Sequence, residues 1–301
     1  MKSAVSLPLL DIRLPWQLQI GKEAAAAEPL FLCDHRRSTP SPRYRITLEA
    51  NLVSLVMRGR KSLIGPRQNQ FFEPGTCLLF RRGRCLSADL CPDGEGYHSV
   101  LLFFAPAFLD TFKHKYRDLL RGDRAAASAD ACLVFPGSAF IASFATALSG
   151  SLVAGGLTPR QQALRMEEIL LHLVEQAGRK VIDFLESSVV EDDRDRMERV
   201  LQQHALSNLT TDELAFLCGM SVASFKRKFT ARFGMSPGRW QKSQLLGHAA
   251  QLLVQDRIPP ADVYWRIGYS SPSSFTKAFR EHHRMTPSQY QRDGRQGRRR
   301  D

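Results

Sequence analysis

Between residues 46 and 104 short apolar runs alternate with breaks at glycine and proline. ITLEANLVSLVMRG ends at Gly59, TCLLFRRG runs from Pro74-Gly75 to Gly83, and YHSVLLFFA closes at Pro106. Runs of this length between turn residues predict strands, and several in succession predict a small antiparallel barrel or sandwich. The rhythm then lengthens. Residues 106–121 and 159–186 read as helices, the second opening on Thr158-Pro159, an N-cap followed by proline at the first helical position. Leu164, Ile169, Leu170, Leu173 and Val174 supply its apolar stripe. Ahead of the strands, Ala24–Ala27 and the Pro-rich HRRSTPSPR predict a loosely ordered lead-in over residues 1–45. EDDRDR (191–196) reads as a linker, and from residue 197 onward the pattern is helical.

The helical third contains a repeat. SVASFKRKFTARFGMSPGRW (221–240) returns as SPSSFTKAFREHHRMTPSQY (271–290), matching Phe225 to Phe275, Phe229 to Phe279 and Trp240 to Tyr290. Taken as a helix starting after Ser221, the first copy gathers Val222, Phe225, Phe229 and Phe233 within about 80°. That stripe must face a core. Opposite fall Ala223, Arg227 and Ala231, with Ser224 and Thr230 beside them and Lys226 and Lys228 on the flanks. Long cations with small neighbours suit a helix lying in a DNA groove.

Ahead of this helix, TTDELAFLCGMS offers a capping-box pair, Thr210 and Glu213, a short apolar helix and a turn at Gly219. Short helix, glycine turn and basic-faced helix make a helix-turn-helix over about 210–233. The second copy, over about 261–283, repeats the order. Val263 and Ile267 precede Gly268, Ser271-Pro272 is the cap, Phe275 and Phe279 are buried, and Ser273, Thr276, Lys277 and Arg280 face out. Between the copies, PGRWQKSQLLGHAAQLLVQD predicts one helix with Leu245, Leu246, Ala249, Leu252 and Leu253 on a stripe. About 18 residues at 1.5 Å each span roughly 27 Å, enough to hold two recognition helices about one DNA turn apart. The candidate DNA-contacting residues are Ser221, Ala223, Ser224, Lys226, Arg227, Thr230 and Arg232, then Ser271, Ser273, Ser274, Thr276, Lys277 and Arg280.

Charge agrees with this placement. Of a formal net +12, residues 194–301 carry +10 (19 Lys+Arg against 9 Asp+Glu). An anionic partner for the last third follows. The tail RDGRQGRRRD is too rich in glycine and arginine to pack, which predicts a disordered basic extension over 293–301. The six cysteines include no CxxC pair, so they read as reduced, mostly buried thiols. Pro8 and Asp11 interrupt any signal-peptide core, and no run approaches the roughly 20 apolar residues that span a bilayer. A cytoplasmic protein with no membrane partner is expected.

The repeat resembles the AraC/XylS family of transcription regulators over roughly 197–292. The second-motif signature appears as Asp262-Val263-Tyr264, Gly268-Tyr269, Phe275, Phe279-Arg280, Arg284-Met285-Thr286-Pro287 and Tyr290-Gln291. Tyr264 stands where the family has a small alanine, and Arg284 where it has a turn glycine. The resemblance implies base contacts at Ala223, Lys226 and Arg227, and at Ser273, Thr276 and Lys277. EPGTCLLFRRGRCLSADL, the segment from Val134 to Leu152, and LRMEEILLHLVEQ are similar to ExsA-like activators of type III secretion genes. The implied fold is α+β. Residues 1–190 form a cupin-like small β-barrel with flanking helices, β-rich to about 105 and helical over 106–190, serving regulation and oligomerisation. Residues 191–292 form an all-α domain of two helix-turn-helix motifs joined by a linker helix. The implied partners are promoter double-stranded DNA, RNA polymerase and a small-molecule or protein effector at the N-terminal domain, with a homodimer left open.

Other classes find less support. A metal-dependent cupin-type enzyme needs clustered ligands, yet residues 1–150 hold only His35, His98 and His114, with no HxH pair. A DNA-alkylation-repair regulator needs a four-cysteine zinc cluster that the spacings do not supply. No catalytic residue, metal or cofactor is therefore expected. His282-His283 read as solvated or phosphate-adjacent. The cations Arg58, Arg60, Lys61, Arg81, Arg82 and Arg84 cluster near the strands, either as a solvated face or facing a carboxylate ligand or acidic partner.

Overall fold

A computed structural model describes residues 10–14, 30–40, 43–64, 69–92, 94–121, 132–186, 193–207 and 209–297. The chain divides into two compact units, with the boundary between Glu191 and Asp192. The first unit contains β1 (Leu10–Leu14), β2 (Leu30–Arg37), β3 (Tyr44–Leu48), β4 (Asn51–Arg58), β5 (Arg60–Ile64), β6 (Asn69–Phe72), β7 (Cys77–Phe80), β8 (Gly83–Leu90) and β9 (Tyr97–Phe104). Next come α1 (Pro106–Lys115), β10 (Cys132–Phe135), α2 (Ala139–Val153), α3 (Pro159–Ala177) and α4 (Lys180–Glu186). Two five-stranded sheets result, ordered β1-β3-β8-β5-β6 and β10-β7-β4-β9-β2. Tyr44, Ile46, Leu63 and Cys85 from one meet Leu52, Val56, Leu78 and Phe103 from the other in a single core. The second sheet's other face, through Val53, Leu55, Leu79 and Leu102, packs on Ile141, Phe144, Met166, Ile169 and Leu173 of α2 and α3. The α+β expectation with flanking helices holds, the small barrel being realised as two facing sheets.

Several expectations are corrected. The run from 46 to 59 is two strands, because the chain turns at Glu49-Ala50 and changes sheet. β3 alternates buried and half-buried because only one side meets the core, whereas β4 is buried throughout Asn51–Val56 because both of its faces are covered. The lead-in is not loose over residues 30–37: β2 pairs with β9 along its whole length, from Leu30–Phe104 to Arg37–Tyr97. Ala24–Ala27 lie outside the described residues. β10 falls within the stretch expected to be helical after 105. Its four apolar residues are too few for a stable helix and instead complete the edge of the second sheet beside β7. In α3, Ile169, Leu170, Leu173 and Val174 are buried, but Leu164 is exposed. Five residues from Ile169, it sits about 140° off the stripe. Arg194–Arg196, expected in a linker, are helical.

The cation cluster also resolves differently. Arg60 pairs with Glu73 at 2.7 Å, but Lys61 points inward and is 6% exposed. Its ammonium lies 3.2 Å from Asp89, itself 1% exposed. The Tyr44 hydroxyl donates to the same carboxylate at 2.9 Å, and Lys61 lies 5.7 Å from the Tyr97 ring centroid. Burial alone would push Asp89 up, but Lys61 and the hydroxyl of Tyr44 hold it well below the usual carboxylate range. A second knot ties helix to sheet, with Asp34 of β2 accepting from Ser149 of α2 and meeting His98 of β9 at 2.9 Å. Burial opposes its charge, yet the partners Arg36, Ser149 and His98 lower Asp34 to about 2. Cys77, Cys85, Cys132 and Cys218 are buried, and none of the six cysteines forms a disulfide.

Candidate nucleic-acid interface

The second unit contains α5 (Asp193–His204), α6 (Thr211–Cys218), α7 (Val222–Phe233), α8 (Pro237–Val254), α9 (Pro260–Arg266), α10 (Pro272–His283) and α11 (Pro287–Gly297). The tail expected to be disordered from 293 is thus helical through Gly297. Gln291 of α11 donates to the carbonyls of Leu253 and Ile258, both at 2.9 Å, which anchors the helix. Residues 298–301 lie outside the described residues.

Helix starts follow the sequence signals. Thr210 Oγ1 accepts from the Glu213 N–H at 3.1 Å, and the Glu213 carboxylate accepts from the Thr210 N–H at 2.7 Å. Two otherwise orphaned donors are satisfied reciprocally. Thr210→Ala is expected to lower the stability of the second unit by about 1 kcal/mol, read as an earlier urea midpoint in tryptophan fluorescence. Ser221 and Ser271 cap α7 and α10 by accepting from Ser224 and Ser274. Gly219 closes α6 in the left-handed region at φ 76°, and Gly268 has φ 84°.

The repeat in sequence is a repeat in geometry. Phe225 and Phe229 are fully buried with centroids 5.6 Å apart, and Phe275 and Phe279 are 5.5 Å apart. Each second phenylalanine meets the next helix's aromatic edge-on, Phe229 to Trp240 at 5.8 Å and Phe279 to Tyr290 at 5.4 Å. The glutamine after each aromatic seals the start of its own motif. Gln241 donates to the Leu209 carbonyl at 2.6 Å, as Gln291 does to that of Ile258. In the sequence Gln291 was marked by its place in the second-motif signature, and Gln241 only by the matching offset from Trp240. The linker is the expected single helix α8, with Leu246, Ala249, Ala250 and Leu253 buried against the second motif and Leu245 and Leu252 half-buried.

With the phenylalanines turned in, Ala223, Lys226, Arg227 and Thr230 are exposed on α7, and Ser273, Lys277 and Arg280 on α10. Ser224 and Thr276 are half-buried. Lys226, Arg227, Lys277 and Arg280 have no ion-pair partner among the described residues. Arg232 is spoken for: its guanidinium meets Glu198 of α5 at 3.0 Å, which ties the first motif to the helix ahead of it. Ser271 and Ser274 spend their hydroxyls locally, Ser274 Oγ donating to the Ser271 carbonyl at 2.9 Å. His283 is not a free surface group but packs on Phe279, its ring nitrogen 3.1 Å from the Leu246 carbonyl. A shallow concavity of about 930 Å³ runs along α10, lined by Ser273, Thr276, Lys277, Arg280, Glu281 and Arg284. The described residues hold no metal-type cluster of His, Cys, Asp or Glu, and no described helix is long and apolar enough to cross a membrane.

Two helix-turn-helix units, each a buried phenylalanine pair beneath a cationic outer face, make this a DNA-binding transcription regulator. Residues 196–293 match the helix-turn-helix domain family HTH_18, and residues 51–184 match the ExsA N-terminal regulatory domain. The chain thus joins an AraC-type helix-turn-helix domain to an ExsA-type N-terminal regulatory domain. It is 26% identical to the virulence regulon transcriptional activator VirF of Yersinia enterocolitica, covering 78% of this chain and 86% of that one. It is 25% identical to the thermoregulatory protein LcrF of Yersinia pestis, over the same shares. With the HTH-type transcriptional regulator ExsA of Pseudomonas aeruginosa it shares 23% identity, over 83% of this chain and 88% of that one.

Proposed function

We propose that the protein is a cytoplasmic transcription activator that lays α7 and α10 in successive major grooves of promoter DNA, without catalysis or a cofactor. The observation that carries this reading is the unpaired set Lys226, Arg227, Lys277 and Arg280, exposed on two helices whose opposite faces are pinned by buried phenylalanines. Cations left without carboxylates fit an anionic partner better than a self-satisfied surface does. The 18 residues of α8 span about 27 Å, which suits half-sites one turn apart.

The first unit is the receiver, taking a protein or small-molecule effector and supporting self-association. RNA polymerase is the partner once DNA is bound. Virulence functions such as type III secretion are the regulated genes, in line with the named relatives.

Arg227→Ala and Lys277→Ala should each cost about 1–3 kcal/mol on a duplex selected by the wild-type protein, and should relax base preference at their own positions. Ser271 and Ser274, which cap their own helix, should matter less for base choice. Equal affinity of both cation variants for selected and scrambled duplex, unchanged from wild type, would remove the assignment. Genome-wide capture of DNA with the tagged protein identifies the genes.

A further inference from the structure

α7 and α10 end on the same backbone geometry but on different residues. Gly234 caps α7 with φ 66° and ψ 7°, and Arg284 caps α10 with φ 61° and ψ 8°. Each cap N–H donates to the carbonyl four residues back at 2.9 Å, Gly234 to Thr230 and Arg284 to Arg280. A Cβ at Gly234 would meet nothing within 4 Å, so glycine is favoured there by backbone conformation and not by space. At Arg284 the chain holds an L residue in the left-handed region that glycine enters freely. No described residue compensates for this: Arg284 is exposed, and its guanidinium makes no hydrogen bond or ion pair with any of them.

What surrounds it is cationic. Arg284 lines the concavity along α10 together with Lys277 and Arg280. The one carboxylate there, Glu281, reaches Lys242 of α8 at 3.5 Å. At the far edge stands Thr286, which heads α11 in a reciprocal pair with Gln289 at 3.0 and 3.3 Å. Strained backbone of this kind clusters at binding sites, and of the two described non-glycine residues with positive φ, Arg257 and Arg284, only Arg284 lines this concavity.

We infer that Arg284 is a DNA-backbone contact peculiar to the second motif, gripping a phosphate beside the groove that Lys277 reads. The first motif has glycine at this position and lacks the grip. A phosphate contact carries no base information, so its effect falls equally on all sequences. The inference rests on the reading that α10 faces DNA.

The test uses the full chain and two duplexes of about three helical turns, one selected by the wild-type protein and one of random sequence. Arg284→Gly is expected to raise the melting temperature by a few degrees, because the strain is released. It should also weaken binding by a similar factor on both duplexes and make the slope of log affinity against log salt shallower by about one. Arg284→Lys should keep the wild-type slope. Lys277→Ala, measured alongside, should lower affinity for the selected duplex more than for the random one. Unchanged affinity and slope for Arg284→Gly, with Lys277→Ala behaving as expected, overturns the role of Arg284 and leaves DNA reading by α10 standing. Unchanged binding by Lys277→Ala overturns the underlying reading. A lower melting temperature for Arg284→Gly shows a structural role and also overturns the inference.

Discussion

Asp89→Ala should destabilise the amino-terminal unit by about 3–5 kcal/mol, since it leaves the Lys61 ammonium charged inside the sandwich without its carboxylate. Lys61 and Asp89 are 6% and 1% exposed, so water cannot replace the lost partner. The Tyr44 hydroxyl would lose its acceptor as well. Replacing both charges, Lys61→Met with Asp89→Leu, should be far milder than the single change, because the cost of burying charge disappears together with the attraction. Urea unfolding of the three variants decides this, and a single variant as stable as wild type would contradict it.

The pair also sets a pH window. Asp89 is lowered in the folded state, so its contribution is present above the unfolded carboxylate value near 4 and is lost as pH falls. Burial opposes the charge on Lys61, but Asp89 and the neighbouring tyrosines raise it overall. Its contribution is therefore complete below the unfolded lysine value near 10.4 and is lost as pH rises through the folded one. Stability of this unit should be flat from about pH 5 to about pH 9 and should fall on the acid side, where Asp34 adds to the loss.

Phe279→Ala is the second large expectation, at about 3–5 kcal/mol on the second unit. Phe279 is fully buried, with the rings of Phe275, Tyr290 and His283 at 5.5, 5.4 and 4.3 Å. Truncation leaves a cavity beneath α10 where α8 and α11 converge, and rigid neighbours fill it poorly. α10 would then lose the anchor that presents Lys277 and Arg280, so DNA binding should fall along with stability. Phe233→Ala should cost less, because that ring is only half-buried. Fluorescence of Trp240, which packs on Phe229 and Phe233, separates damage to the first motif from damage to the second. Phe279→Ala with an unchanged urea midpoint would mean that the ring is not a core element.

The second unit was legible in the sequence because its determinants are local. A buried face on a helix recurs every three to four residues, a cap acts over three, and Phe229 reaches Trp240 only eleven residues on. Thr210 with Glu213, Gly219 and the paired phenylalanines are thus placed by the sequence alone. The pairing of Arg232 was not legible, because its partner, Glu198, lies 34 residues earlier on a helix whose packing no local pattern reveals. In the first unit, the turn at Glu49-Ala50 sends β3 and β4 to different sheets, a decision taken by strands far away in sequence.

The sequence by itself therefore determined the two helix-turn-helix units, their caps, their cationic faces and the rod between them. Only the tertiary structure decided which cations are free. Lys61 is consumed by a carboxylate 28 residues away and Arg232 by one on another helix, while Arg284 stands unpaired on a backbone that glycine would prefer. Pairing depends on distances across the fold, and those are set by packing that one-dimensional spacing does not encode.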